Sequence, residues 1–171
     1  MNKTKIIARI LFHITRLLAI LYISTAIYSM LCIYTGFSIG YNEGEELIHI
    51  FYPFTQTPFL NVDNNWSYMV FNFILPLGLY GIFFLLTSNV FKVFCQPKLF
   101  KEDGVKQLKL FYLANILVPT LATIFASFFV GIESFIILLI IVHFVLGIFA
   151  YFFAEIFKQG LHLQNEQDLF V

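Results

Sequence analysis

Four runs of apolar residues, each about 20 residues or longer, leave few folds open to this sequence. They extend from about Leu11 to Phe37, Tyr68 to Phe94, Leu110 to Val130 and Ser134 to Phe157. A bilayer core is about 30 Å thick and an α-helix rises about 1.5 Å per residue, so about 20 apolar residues make one crossing. Backbone polar groups cannot stay open in hydrocarbon, which leaves helices or barrel strands. Barrel strands are about ten residues long and alternate apolar with polar. These runs are twice that length and apolar on every side, so helices are expected. Composition agrees: 60% of the 171 residues are hydrophobic and 12% charged, against roughly 45–50% and 25% in a soluble domain. The expected fold class is an all-α membrane protein, a four-transmembrane-helix bundle forming one domain over residues 1–171.

The connections are unequal. An outer loop spans 38–67, a charged link covers Cys95–Lys109, and only Gly131, Ile132 and Glu133 join the last two runs. So short a link predicts that helices three and four form a tight antiparallel hairpin. A polar tail, Lys158–Val171, follows. Gln96-Pro97 can stop the second helix, because proline lacks the amide hydrogen and restricts the residue before it. Glu102 and Asp103 then suit a helix N-terminus, so the third helix is expected to begin before the bilayer.

Orientation follows from basic residues. Lys3, Lys5, Arg9, Arg16, Lys92, Lys98, Lys101, Lys106, Lys109 and Lys158 are all ten Lys and Arg residues, and one topology puts every one on the same side. The other side holds Glu43, Glu45, Glu46, Asp63 and Glu133. Both termini are therefore expected in the cytoplasm. A cleaved signal peptide is the competing reading of the first run, with small residues at Ser24-Thr25-Ala26, but the apolar stretch continues to Phe37. Cys32 and Cys95 fall at opposite faces of this topology, which argues against a disulfide.

Chemistry-bearing residues are sparse. His143 is the one ionisable residue near the middle of a run, and such residues are candidates for function. The plainer reading is a neutral ring bonded to a hydroxyl or carbonyl on a neighbouring helix. Asn72 with Pro76, and Asn115 with Pro119, repeat one pattern: each proline removes the hydrogen bond to the asparagine's carbonyl four residues earlier. Pro76, Pro119 and His143 fall at similar depth and form a candidate midplane site, since kinked helices can open cavities. Arg16 and Glu155 are expected to pair at the inner interface. Glu46 and His49 read as Glu-x-x-His, but one such pair in a loop does not make a metal site. The outer loop carries Tyr41, Phe51, Tyr52, Phe54, Phe59 and Trp66, which suits the outer membrane interface. Phosphate-binding and hydrolase motifs are absent, so neither an enzyme nor a cofactor is expected. The bases are accounted for by topology and anionic lipid, which gives direct nucleic-acid binding no support.

The chain closes on Glu155, Ile156, Phe157, Gly160, Leu163, Glu166, Asp168, Leu169 and Val171 at the spacing Glu-Ile-Phe-x-x-Gly-x-x-Leu-x-x-Glu-x-Asp-Leu-x-Val. This resembles the closing signature of the small bacterial membrane proteins grouped as domain of unknown function 2975. Leu99-Phe100 with Val105 and Leu108 is similar to that family's cytoplasmic segment. The resemblance implies a four-span protein of the bacterial inner membrane, often encoded beside a small helix-turn-helix regulator. It makes Glu155, Gly160, Leu163, Glu166, Asp168 and Leu169 candidates for docking such a partner or for capping the inner surface, with Glu166 and Asp168 reaching Lys98, Lys101 or Lys106. The function expected is a non-enzymatic regulatory or sensory module acting through a cytoplasmic transcription regulator. The alternative is a small transporter or channel with a midplane cavity.

Overall fold

A computed structural model describes residues 3–42, 44 and 46–168 of the chain. Four helices are long and apolar enough to cross a membrane. They are α1 (Lys3–Thr35), α2 (Trp66–Phe94), α3 (Glu102–Ala126) and α4 (Ser134–Asp168). Each exists where the apolar runs predict it, and the differences lie at the ends. α1 starts at Lys3 rather than near Leu11, and α4 runs to Asp168 rather than stopping at Phe157. Hydropathy marks only the part of a helix that suits hydrocarbon, and winding continues into polar sequence wherever no breaker intervenes. As far as Asp168, the tail is therefore not a separate segment but the last turns of a 35-residue helix. α3 begins at Glu102, with Glu102 and Asp103 in its first turn. α2 is capped by Asn65, whose Oδ1 accepts from the Ser67 and Tyr68 amides at 3.0 and 3.3 Å.

The all-α expectation needs correction in the loop between α1 and α2. It folds into an antiparallel sheet of β1 (Ile39–Tyr41), β2 (Leu47–Phe51) and β3 (Pro58–Asp63), in that order. Ile48 pairs with Val62 and Ile50 with Leu60 across β2 and β3. Ile48, Ile50 and Val62 are buried with Cys32 of α1 and Met69 of α2, so the sheet sits on the adjoining ends of these two helices. Tyr28 fastens it by donating its hydroxyl to the Phe51 carbonyl at 2.7 Å. His49 belongs to the other face and bonds Asn61 across the strands at 2.7 Å. Its partner is thus a strand neighbour and not Glu46. Among the described residues no group of His, Cys, Asp and Glu could hold a metal ion. Gly36 ends α1 at φ +70°, and its amide bonds the Cys32 carbonyl at 2.9 Å. This left-handed position favours glycine.

Helix neighbours follow chain order, α1 with α2, α2 with α3 and α3 with α4. Glycines set the closest approaches. A Cβ at Gly81 would lie 2.5 Å from Ile23, and one at Gly147 would lie 2.5 Å from Ile116 and 3.2 Å from the Tyr112 carbonyl oxygen. Small residues permit the contact of α1 with α2: Ala8, Ala19, Ala26, Ser29 and Cys32 are all buried. At the end away from the sheet, Val93, Leu108, Ala154 and Phe157 form a second core, with Phe94 and Phe100 packed against it. Because α1 packs chiefly on α2, Arg16 does not reach Glu155. Glu155 instead lies 4.0 Å from Lys158 on its own helix.

Candidate functional site

α2, α3 and α4 enclose a half-open cavity of about 150 Å³. Pro76, Pro119 and His143, expected at similar depth, all line it. Its wall is mainly aliphatic and aromatic, from Phe71 to Leu86 on α2, Ala114 to Ala126 on α3 and Ile136 to His143 on α4, with Ile132 from the link before α4.

Backbone irregularity marks the α2 side. Residues Met69–Ile74 wind as a π-helix, and the Leu75 amide bonds the Val70 carbonyl five residues back. Pro76 follows, with no amide to offer the preceding turn. A π-segment before a proline absorbs the ring and offsets the helix, and such segments recur at functional sites. Asn72 lies within it and lines the cavity. On α3, Pro119 stands mid-helix between Asn115 and Thr123, which share its face at four-residue spacing.

The polar centre is a pair. His143 Nδ1 lies 2.8 Å from Asn115 Oδ1, and Asn115 Nδ2 donates to the Phe111 carbonyl at 2.8 Å. Asn115 is 3% exposed, so both of its amide ends are committed inside the helix contact. Around the imidazole stand the rings of Phe83 and Tyr80, with centroids at 5.1 and 6.2 Å. The plainer reading of His143 and the cavity reading hold together: one nitrogen bonds a neighbouring helix, and the same ring lines the cavity. Tyr80, Phe83, Phe71 and Thr123 were not among the residues expected from sequence. A signal for two of them exists, because Tyr80 and Thr123 follow Pro76 and Pro119 by four residues.

The tail candidates separate into two groups. Gly160 packs against Phe100, whose ring atoms would lie 2.7 Å from a Cβ at that position. The link and the tail therefore meet directly. Leu163 is 60% exposed, and Glu166 pairs with His162 at 3.3 Å rather than with Lys98, Lys101 or Lys106. Asp168 closes the described helix, while Leu169 lies outside the described residues. Ile156 is exposed, and Phe157 beside it faces the core. The inward face of this segment is thus Ala150, Ala154 and Phe157, with Gly160 at its edge.

The fold and site define a class: a helical protein with four helices able to cross a membrane, a small sheet over one end, and an apolar cavity holding a single histidine–asparagine pair. No family model, curated protein or solved structure matches the chain.

Proposed function

We propose that this chain is a non-enzymatic sensory or regulatory protein of the bacterial inner membrane, with both termini in the cytoplasm and α3 and α4 crossing as an antiparallel hairpin. It binds an apolar ligand between α2, α3 and α4 and signals to a cytoplasmic partner such as a small helix-turn-helix regulator. The observation that carries this reading is the continuity of α4. One unbroken helix of 35 residues joins His143 in the cavity wall to Leu163 and Glu166 in the polar tail. At about 1.5 Å per residue it is about 52 Å long, against about 30 Å of hydrocarbon, so its last turns extend beyond the bilayer. A shift of α4 at the cavity is carried to those turns without an intervening joint. The placement of all ten bases supports the orientation. The tail spacing supports kinship with domain of unknown function 2975 and, through it, the regulator as partner.

Affinity capture from membranes with the full chain, and with a chain ending at Lys158, tests the reading. Loss of a cytoplasmic partner in the shortened chain is expected. Recovery of the same partners by both removes the tail as the docking element. A small transporter or channel is the second reading, favoured by the two prolines that border the cavity. Uptake of an apolar solute into vesicles containing only this protein distinguishes it from the first.

A further inference from the structure

The hydrogen bonds around Asn115 decide what His143 can offer a ligand in the cavity. The Phe111 carbonyl can only accept, so the Asn115 atom against it must be the amide nitrogen. The reverse flip would set two acceptors 2.8 Å apart. Oδ1 is therefore the atom facing His143, and it too can only accept. His143 Nδ1 must then carry the proton. No carboxylate lines the cavity, so a charged ring would have no counter-ion there. In the neutral ring one proton is available, which leaves Nε2 as a bare acceptor. Among the described residues Nε2 has no hydrogen-bond partner. Nor is it sealed off, since the fully enclosed, unpartnered side-chain atom among them is Ser29 Oγ.

We infer that the cavity takes an aromatic ring bearing a hydroxyl group, with the hydroxyl donating to His143 Nε2. This deepens the ligand-sensing reading above and rests on it. Size and lining point the same way. An apolar cavity of about 150 Å³ is known to admit a single benzene-sized ring, and this one is about 150 Å³. Phe71, Tyr80 and Phe83 supply aromatic surface to such a ring. The donor requirement comes from Nε2. A ligand with only acceptors would meet that lone pair with nothing to offer. Two sources share this chemistry, the reduced head of a lipid-soluble quinol and a small free phenol. The cavity is half open, so a substituent on the ring would lie outside the ring-sized volume, along the α3 wall between Ala114 and Ala126.

The test uses the full chain in phosphatidylcholine nanodiscs free of quinone, titrated with phenol, anisole, toluene and an alkyl-chain quinol and read by ligand-observed saturation-transfer NMR. Phenol is expected to bind about tenfold more tightly than anisole, the yield of one well-placed hydrogen bond. His143→Leu should abolish that preference, read as the ratio of phenol to anisole affinity within the same variant. Asn115→Leu, which releases the proton from Nδ1, should also narrow it and serves if the histidine variant does not fold. Equal binding of phenol and anisole to the wild type overturns the ligand class and leaves the cavity intact. So does a preference that survives in both variants. Ala122→Phe fills the cavity and should remove binding of every ring, and toluene binding that persists there overturns the cavity reading itself. A quinol more than about tenfold tighter than phenol identifies a bilayer lipid as the source, and equal affinities identify a free phenol. Absence of binding by both overturns the inference.

Discussion

The Asn115–His143 pair should behave as a coupled unit holding α3 to α4. Consider Asn115→Leu and His143→Leu, singly and together. Asn115→Leu removes the acceptor and strands the Nδ1 proton in a half-buried site, while His143→Leu strands Oδ1. Each single variant therefore overstates the bond, because a buried group left unpaired costs about 1–3 kcal/mol against about 0.5–1.5 kcal/mol net for the bond itself. The double variant removes both stranded groups, and the cycle isolates the coupling. In membrane proteins such coupling averages about 0.6 kcal/mol and reaches about 1.7 kcal/mol. This pair belongs in the upper part of that range. Asn115 is 3% exposed, and its bond to the Phe111 carbonyl holds the acceptor in place before His143 arrives. A coupling of about 1–1.5 kcal/mol is expected, about fivefold to twelvefold in the unfolding equilibrium. Reversible unfolding in mixed micelles, followed by far-ultraviolet circular dichroism for the four proteins, measures it. Single effects that add to the double effect within about 0.3 kcal/mol would show that the pair contributes no more than proximity.

Other outcomes follow from the packing. Gly147→Val should lower stability by about 1–3 kcal/mol in the same assay, since its Cβ alone comes within 3.2 Å of the Tyr112 carbonyl oxygen. Gly160→Leu should cost a similar amount by displacing Phe100, whereas Leu163→Ala, at a 60% exposed position, should change stability by less than about 0.5 kcal/mol. Equal effects at the two sites would refute the packed-and-free division of the tail. Tyr28→Phe removes the hydroxyl bonded to Phe51 and should speed hydrogen exchange in β2 and β3, at a cost of about 1 kcal/mol. For orientation, a membrane-impermeant thiol reagent applied to intact cells should label Asn64→Cys but not Gln164→Cys. The reverse pattern would invert the proposed topology.

Hydrophobic length made the four helices legible, because lipid imposes a minimum span that few other environments require. That signal alone does not reveal helix beyond the lipid, and by it Lys3–Ile10 and Lys158–Asp168 are only charged flanks. The sheet was obscured for another reason. Leu47-Ile48-His49-Ile50-Phe51 alternates buried with half-buried positions, but four of its five residues are apolar and polarity does not mark the alternation. Beside Glu46, His49 suggested helical spacing instead of a cross-strand bond to Asn61. At the cavity, depth alone brought Pro76, Pro119 and His143 to one level. Which face each helix turns inward depends on packing, so the partnership of Asn115 with His143 and the presence of Tyr80 and Phe83 emerged only in three dimensions. Arg16 and Glu155 show the converse. They are expected at one depth, but their helices are not neighbours.

The π-helical turn at Met69–Ile74 has a further consequence. An α-helix rotates about 100° per residue, so one surplus residue shifts everything above it by that angle relative to everything below. α2 is thus two screws of different phase joined end to end. The upper one is keyed by Met69 to the sheet at Ile50 and Val62, and the lower one by Pro76, Tyr80 and Phe83 to the cavity. Deleting a single residue between Met69 and Ile74 would restore uninterrupted winding, but the two halves could then no longer engage their surroundings together. Either Met69 would swing out from under the sheet, or the wall facing His143 would turn away.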